Sequence, residues 1–496
     1  MPEVFLRVSN IYKSFAGVHA LQGINLTVEK GEVRCLLGEN GCGKSTLIKI
    51  ISGVYTPDSG TIEIEGESFT SLQPVQAMQK GVQVIYQDFS IFPNLTVADN
   101  IAMNTFRVHN RKTINWKEIR EKAQTALDHL GVDIDLDVKA EALSVADKQV
   151  VAICRAIIQD AKLIIMDEPT TALTKKEVSA LLKIIQQLKE EGIAVIFVTH
   201  KLEEVMDVTD TVTILRNGQM VVDGEKTSEF DLSKFAFYMT GREIVDDPFV
   251  PEITDGEEML RLEHLCLKDG FDDVSLTINR GDILGVTGLL RSGRTEFAQC
   301  LFGQYPATKG KVFIEGKEVR LSSVDAAIEN GIGYVPEDRL TEGLFLNKSI
   351  SSNIYVSVLD KFKKAFGVSD KQKLKETGET WVKNLSIKTP DAENLVSTLS
   401  GGNQQRVVLA KWLARNPKVL ILNGPTVGVD IGSKSEIHKV VRNLANSGMA
   451  VIIISDDIPE VLTNCNKVAV MKKGRIVGQY SSKELTNESL AAMLTE

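Results

Sequence analysis

Apolar and polar residues alternate at Leu6–Val8 and at Ile24–Leu26–Val28, the period-two pattern of strands with one buried face. Val33–Leu37, Leu163–Met166 and Val195–Val198 are instead almost continuously apolar, as strands buried on both faces are. A glycine-rich turn follows the first of these and opens a helix predicted over Thr46–Ser52. The polar stretch 112–160 reads as mostly helical. The same succession then recurs, with a polar helical stretch at 369–417 and apolar strands at Val419–Leu422 and Val451–Ile454. Strands alternating with helices predict an α/β fold with a largely parallel sheet in each half.

The recurrence is also literal. EVRCLLGENGCGKST at 32–46 resembles DILGVTGLLRSGRTE at 282–296, setting Lys44 against Arg294, 250 residues apart. LSVADKQVVAICRAI at 143–157 resembles LSGGNQQRVVLAKWL at 399–413, and KLIIMDEPT at 162–170 resembles KVLILNGPT at 418–426, both 256 residues apart. One fold is therefore used twice, with six residues added between the first motif and the later ones. The seam falls where two prolines and seven acids crowd into 241–258 with little apolar periodicity. Domains are thus expected at 1–240 and 259–496, with 241–258 as linker.

At 496 residues the chain exceeds one core. No apolar run of 18 residues predicts a membrane span, and residues 1–10 lack the basic-then-apolar pattern of a secretion signal. A membrane role would therefore run through a partner. The formal charge of −9 argues against a nucleic-acid partner. Six scattered cysteines without a CxxC pair read as reduced cytosolic thiols.

The candidate chemistry is phosphate binding. Gly38-Glu39-Asn40-Gly41-Cys42-Gly43-Lys44-Ser45, followed by Thr46, fits G-x-x-x-x-G-K-[ST] between a strand and a helix. Its glycines let backbone amides close around phosphates. Lys44 would reach the β- and γ-phosphates, and Ser45 would offer a hydroxyl to Mg²⁺. Asp167 and Glu168 end an apolar strand: the first suits a Mg²⁺ shell and the second can polarise an attacking water. His200 ends an apolar strand, where a lone histidine is commonly structural, but its place after the second acid favours a γ-phosphate contact. Gln87 would sit near the metal and water, which spacing alone does not show, and Tyr12 would stack on adenine or simply pack on an edge strand. Cys42, beside loop amides and Lys44, is expected to have a lowered thiol pKa.

These motifs, with Leu399-Ser400-Gly401-Gly402 and the LSGGNQQ run they begin, resemble the ATP-binding cassette family over nearly the whole chain. GRTE at 293–296 and YVPEDR at 334–339 resemble in particular the fused ATPase subunit of monosaccharide importers of ribose, galactose or xylose type. The resemblance implies two tandem P-loop NTPase domains, each with a mixed sheet, an antiparallel β subdomain and a helical subdomain. It also implies that each ATP lies between the phosphate loop of one half and the LSGG signature of the other. One composite site would then combine Tyr12, residues 38–46, Gln87, Asp167, Glu168 and His200 with Ser400, Gly401, Gly402 and Asp430, matching the family pattern throughout.

The other composite site would use Gly288, Gly293, Arg294 and Thr295, and there the losses collect. Glu337 replaces the glutamine, Asn423 and Gly424 replace the two acids, Asp456 replaces the histidine and Cys266 the aromatic residue. Its signature reads Leu143-Ser144-Val145-Ala146, and Thr174 stands where the second half has Asp430. This site is expected to bind ATP loosely or hold it, with little or no hydrolysis. The implied cofactors are ATP and Mg²⁺. The implied partners are two integral-membrane permease subunits and, through them, a solute-binding protein, at the cytoplasmic face of the membrane and without contact to the transported solute. Asp88–Leu95 is either a docking surface for a permease helix or packing beneath the helical stretch. Two other readings stay open: a soluble tandem cassette acting on ribosomes or DNA, and a regulatory ATP-binding protein that moves nothing.

Overall fold

The computed structural model describes residues 3–15, 18–103, 115–170, 173–199, 202–243, 247–363 and 369–495. The chain forms two compact units, residues 1–244 and 245–496.

In the first unit, β1 (Val4–Phe15), β2 (Val18–Glu29), β4 (Ser59–Ile64) and β5 (Glu67–Phe69) make an antiparallel sheet in the order β2-β1-β4-β5. A six-stranded sheet joins β3 (Val33–Leu37), β6 (Val82–Ile85), β7 (Leu163–Asp167), β8 (Ala194–Val198), β9 (Thr211–Arg216) and β10 (Gln219–Lys226) in the order β10-β9-β3-β8-β7-β6. All its pairings are parallel except β9 with β10. The second unit repeats both sheets strand for strand. β12-β11-β14-β15 is the antiparallel one, built from Phe271–Asn279, Glu258–Leu267, Lys309–Ile314 and Lys317–Val319. β20-β19-β13-β18-β17-β16 is the mixed one, built from Arg475–Ser481, Lys467–Lys472, Ile283–Thr287, Ala450–Ile454, Val419–Asn423 and Ile332–Val335.

The apolar runs are buried on both faces, as their composition requires. Along β7, Ile164 and Met166 enter one core with the helices, while Leu163 and Ile165 enter the other with the antiparallel sheet. In β17, Leu420 and Leu422 face one core, and Val419 and Ile421 the other. The polar stretches supply the helices Trp116–His129 and Val145–Ile157, and Lys371–Asn384 and Gly401–Leu413.

Three boundaries differ from expectation. The helix after the phosphate loop begins at Lys44 and ends at Ile51, because Gly43 already serves as its cap in a left-handed conformation. The added residues are not one insertion. The offset is 250 at β6 and β16, 253 at the helix caps Thr96 and Ser349, and 256 at the signature helices. The expected linker contains a core residue: Phe249 is 4% exposed, and its amide donates to the Thr463 carbonyl at 2.8 Å.

Candidate functional site

β3 lies between its parallel neighbours β8 and β9, and the loop 38–43 leaves its carboxyl end, where open α/β sheets present ligands. Gly38, Gly41 and Gly43 have φ of 147°, 82° and 111°, values costly for a residue with a side chain. A Cβ on Gly38 would lie 2.3 Å from the Leu215 carbonyl oxygen and 2.5 Å from Cys42 Sγ. The chain can therefore turn back here only with glycine, and the turn brings backbone amides to the start of the helix Lys44–Ile51. Lys44 Nζ donates to the carbonyls of Gly38 (2.6 Å) and Glu39 (3.0 Å), which holds the ammonium over the loop. Asn40, Gly41 and Ser45 are exposed.

Ser45, Gln87 and Asp167, the three residues expected around a metal, line one cavity of about 510 Å³ beside this loop. Burial pushes the Asp167 carboxyl above its ordinary range and Glu168 adds to the effect, while Lys44 and Lys49 oppose it. A hydroxyl, an amide oxygen and one carboxylate are hard oxygen donors, and they fit Mg²⁺ that shares its shell with phosphate oxygens and water. Glu168 follows with φ 50°, and its amide donates to the Val198 carbonyl at 2.9 Å. His200 lies outside the described residues. Tyr12 lies on β1 with its ring half exposed, outside that cavity.

The second unit keeps the layout with changed chemistry. Thr295, Glu337 and Asn423 line a cavity of about 410 Å³, at the positions of Ser45, Gln87 and Asp167. Asn423 Nδ2 lies 3.4 Å from the Tyr334 hydroxyl, and burial pushes that phenol up to about 12. Gly424 takes the place of Glu168 with φ 57°, and its amide donates to the Ile454 carbonyl at 2.9 Å. Gly293, φ 98°, caps the helix Arg294–Leu301. Arg294 donates to the Gly288 carbonyl at 2.7 Å and pairs with Asp456 at 3.3 Å. Strand register supports the equivalence of Tyr12 and Cys266: Tyr12 pairs with Ser59 on β4, and Cys266 with Lys309 on β14.

The two signature segments differ in a way the sequence reading missed. Ser144 accepts from the Asp147 amide at 3.1 Å and donates to the Asp147 carboxylate at 2.7 Å. The first unit's signature helix is thus capped by its own serine, with an acid in its first turn. Ser400 makes no such cap; its hydroxyl accepts from Asn403 Nδ2 at 2.9 Å. Gly401 and Gly402 follow with amides suited to an anion. The loss of the second glycine at Ala146 is visible in the sequence; Ser-x-x-Asp at 144–147 is a further readable capping signal that would have shown the helix start to be self-capped as well. Asp430 caps the helix Ile431–Asn446, accepting from the Ser433 amide at 2.9 Å.

Two expectations change. Cys42 is 4% exposed; burial raises its thiol above the ordinary value, and Lys44 only partly offsets this. The expected lowering is thus overturned, because desolvation of a thiolate outweighs one ammonium. In the segment 88–95 the packing reading holds for some residues and not for others. Phe89 and Ile91 pack on the core, whereas Phe92 is 50% exposed and is held by buried Asn100, which bonds both its amide (2.8 Å) and its carbonyl (3.0 Å). Asn353 holds exposed Phe345 in the same way, at 2.8 and 3.1 Å.

Two strand–glycine loop–helix units, one with a full set of acids and one without, define a tandem P-loop nucleotide-binding protein. The chain belongs to the ABC transporter family, whose model matches residues 21–171 and 271–427. It is 40% identical over 487 residues to the ribose import ATP-binding protein RbsA of Clostridium perfringens, covering 98% of this chain and 97% of that protein. It is also 40% identical over 494 residues to a putative ribose/galactose/methyl galactoside import ATP-binding protein of Geobacillus kaustophilus, covering 99% and 97%. A ribose import ATP-binding protein of Caldanaerobacter subterraneus is 37% identical over 488 residues, covering 98% of each. Among the described residues no helix is long and apolar enough to cross a membrane.

Proposed function

We propose that the chain is the ATP-hydrolysing subunit of an importer for a sugar or related small solute, with one hydrolytic site. The observation that carries this is the pair of equivalent cavities. Ser45, Gln87 and Asp167 surround one, with Lys44 and Glu168 adjacent in sequence; Thr295, Glu337 and Asn423 surround the other, where Gly424 replaces Glu168.

In this reading the amides of 38–46 and Lys44 hold the phosphates of ATP, and Tyr12 stacks on the base. Ser45, Gln87 and Asp167 hold Mg²⁺, which would neutralise charge on the phosphate oxygens. Glu168 orients and polarises the attacking water, and His200 contacts the γ-phosphate. The uncapped amides of Ser400, Gly401 and Gly402, with Asp430, complete this site. Gly288, Gly293, Arg294 and Thr295 bind a second nucleotide that is turned over slowly or not at all, because neither a metal-supporting acid nor a water-polarising carboxylate is present. The chain works at the cytoplasmic face of the membrane on two permease subunits, which Phe92 and Phe345 are exposed to meet. A solute-binding protein delivers the cargo to those subunits, and this chain touches neither the cargo nor nucleic acid.

Steady-state ATPase of the complex with its candidate permease tests the reading. Glu168→Gln is expected to lower kcat by ~10²–10⁴, while Arg294→Ala retains most turnover. Substantial activity in Glu168→Gln would show that the second site hydrolyses and overturn the assignment.

A further inference from the structure

Between β16 and Ser349 the second unit contains a five-residue π turn, Arg339–Gly343. The first unit spans the matching distance from Gln87 to Thr96 with three fewer residues and no such turn. Single π turns interrupt regular structure and often sit at functional sites. This one is tied down at both ends. Asp338 caps it, accepting from the amides of Leu340 (2.9 Å) and Thr341 (3.2 Å). At its far end the Gly343 carbonyl accepts from Lys411 Nζ at 2.7 Å, and Lys411 is a buried residue of the signature helix Gly401–Leu413.

At its near end Arg339 reaches away from the turn. Its Nη1 donates to the Val427 carbonyl at 2.9 Å and its Nη2 to the Gly428 carbonyl at 3.2 Å. The same Nη2 would lie 2.8 Å from a Cβ on Gly401. Val427 and Gly428 lead directly into Asp430, the cap of the helix Ile431–Asn446. Ser433, whose amide Asp430 accepts, would lie 2.2 Å from a Cβ on Gly402. One guanidinium thus bonds the loop before Asp430 and packs against Gly401 at the start of the signature helix. In the first unit the residue after Asp88 is Phe89, which packs on the core. There Arg155, at the position of Lys411, donates to the carbonyls of Phe89 and Ser90, each at 2.8 Å. The tie between this segment and the signature helix is therefore common to both units, whereas an arginine after the aspartate belongs to the second.

We propose that Arg339 is a positioning residue for ATP hydrolysis, holding Asp430 and the Ser400–Gly402 amides in one fixed arrangement. The proposal rests on the reading that those residues complete the hydrolytic site of the first unit. Arginine meets the two carbonyls with two nitrogens of one rigid planar fork, a geometry that a single ammonium on a flexible stem does not reproduce. Gly428 has φ 66°, so the backbone that Arg339 restrains is permissive there.

The test uses the full chain assembled with its permease and compares parent, Arg339→Ala, Arg339→Lys and Ser400→Arg. Arg339→Ala is expected to lower kcat by ~10- to 100-fold, the scale that an ångström-sized misplacement produces. The KM for MgATP, the affinity for a fluorescent ATP analogue and the melting temperature should stay at parental values. Arg339→Lys should fall between, because an ammonium can still donate to carbonyl oxygens but lacks the rigid planar fork. A parental kcat in Arg339→Ala, or a loss that follows the melting temperature, overturns the proposal. If Ser400→Arg abolishes turnover while Arg339→Ala does not, the positioning role fails and the composite site stands. If neither variant changes kcat, the composite-site reading fails and Arg339's role falls with it.

Discussion

Glu168 and Gly424 occupy the same backbone conformation in their two units, with φ of 50° and 57° and an amide bonded to the neighbouring strand at 2.9 Å in each case. A left-handed conformation costs a non-glycine residue ~1 kcal/mol or more. The first unit bears that strain at the carboxylate proposed to polarise water; the second, lacking the acid, has glycine and none of the strain.

This asymmetry predicts unequal reciprocal substitutions. Glu168→Gly should abolish turnover while changing stability by less than ~1 kcal/mol, because relieved strain offsets the added freedom of the unfolded chain. Gly424→Glu should destabilise by ~1–2 kcal/mol, since its Cβ would press on Val427 Cγ2 at 3.0 Å and Glu337 Cγ at 3.1 Å. It should restore no hydrolysis, because Asn423 still lacks charge. Urea unfolding and ATPase assays read both effects, and a stabilising Gly424→Glu would contradict the strain argument.

Cys42 should resist modification. Its raised thiol value leaves little thiolate at neutral pH, so alkylation by iodoacetamide should be slow near pH 7 and accelerate with each step upward in pH past the ordinary value of 9.0. ATP should slow it further, and Cys42→Ser should remove the labelling at this position. Rapid, pH-independent modification at pH 7 would contradict the burial of the thiol.

Asp456 should hold Arg294 back from phosphate. With the first site disabled by Lys44→Ala, Asp456→Ala should raise ATP affinity about two- to fivefold at low salt, a modest gain because the carboxylate is 72% exposed and screened. The gain should shrink as ionic strength rises. An unchanged affinity in low-salt titrations would show that the pair does not restrain nucleotide binding.

Glu460 links acid sensitivity to one buried cluster. Burial pushes its carboxyl up, but hydrogen bonds from His438, Ser455 and Thr426 outweigh this, so the native value lies below the ordinary 4.5. Its stabilising contribution is therefore complete above that value and is lost as pH falls through the depressed native one. The stability difference between parent and Glu460→Gln should be fully present above the ordinary 4.5 and shrink as pH falls below it. A difference that widens in acid would reverse the assigned sign.

The sequence showed where the chemistry lies better than it showed how each group is tuned. Positions fixed by chain direction were legible: a glycine loop leaving a strand, acids ending another, and a glutamine after a third lie at the same end of the sheet wherever those strands run parallel within it, as Ser45, Gln87 and Asp167 do. Effects that depend on a group's surroundings were not. Lys44 beside Cys42 is visible in the sequence, but the desolvation that opposes it is not. Phe249 lies in a proline- and acid-rich stretch, and only packing against the second core shows its burial. Arg339 could be quoted from a motif, but its carbonyl partners lie 88 and 89 residues away.

The matched order of strands in the two units has a consequence for inheritance. In an assembly of two identical chains, a substitution at Asp167 or Glu168 would strike both copies at once, because symmetry repeats every change. Placing both copies in one chain removes that constraint. Asn423, Gly424 and Asp147 can then depart from their counterparts without dragging them along, so an unequal pair of sites is something that fusion makes heritable.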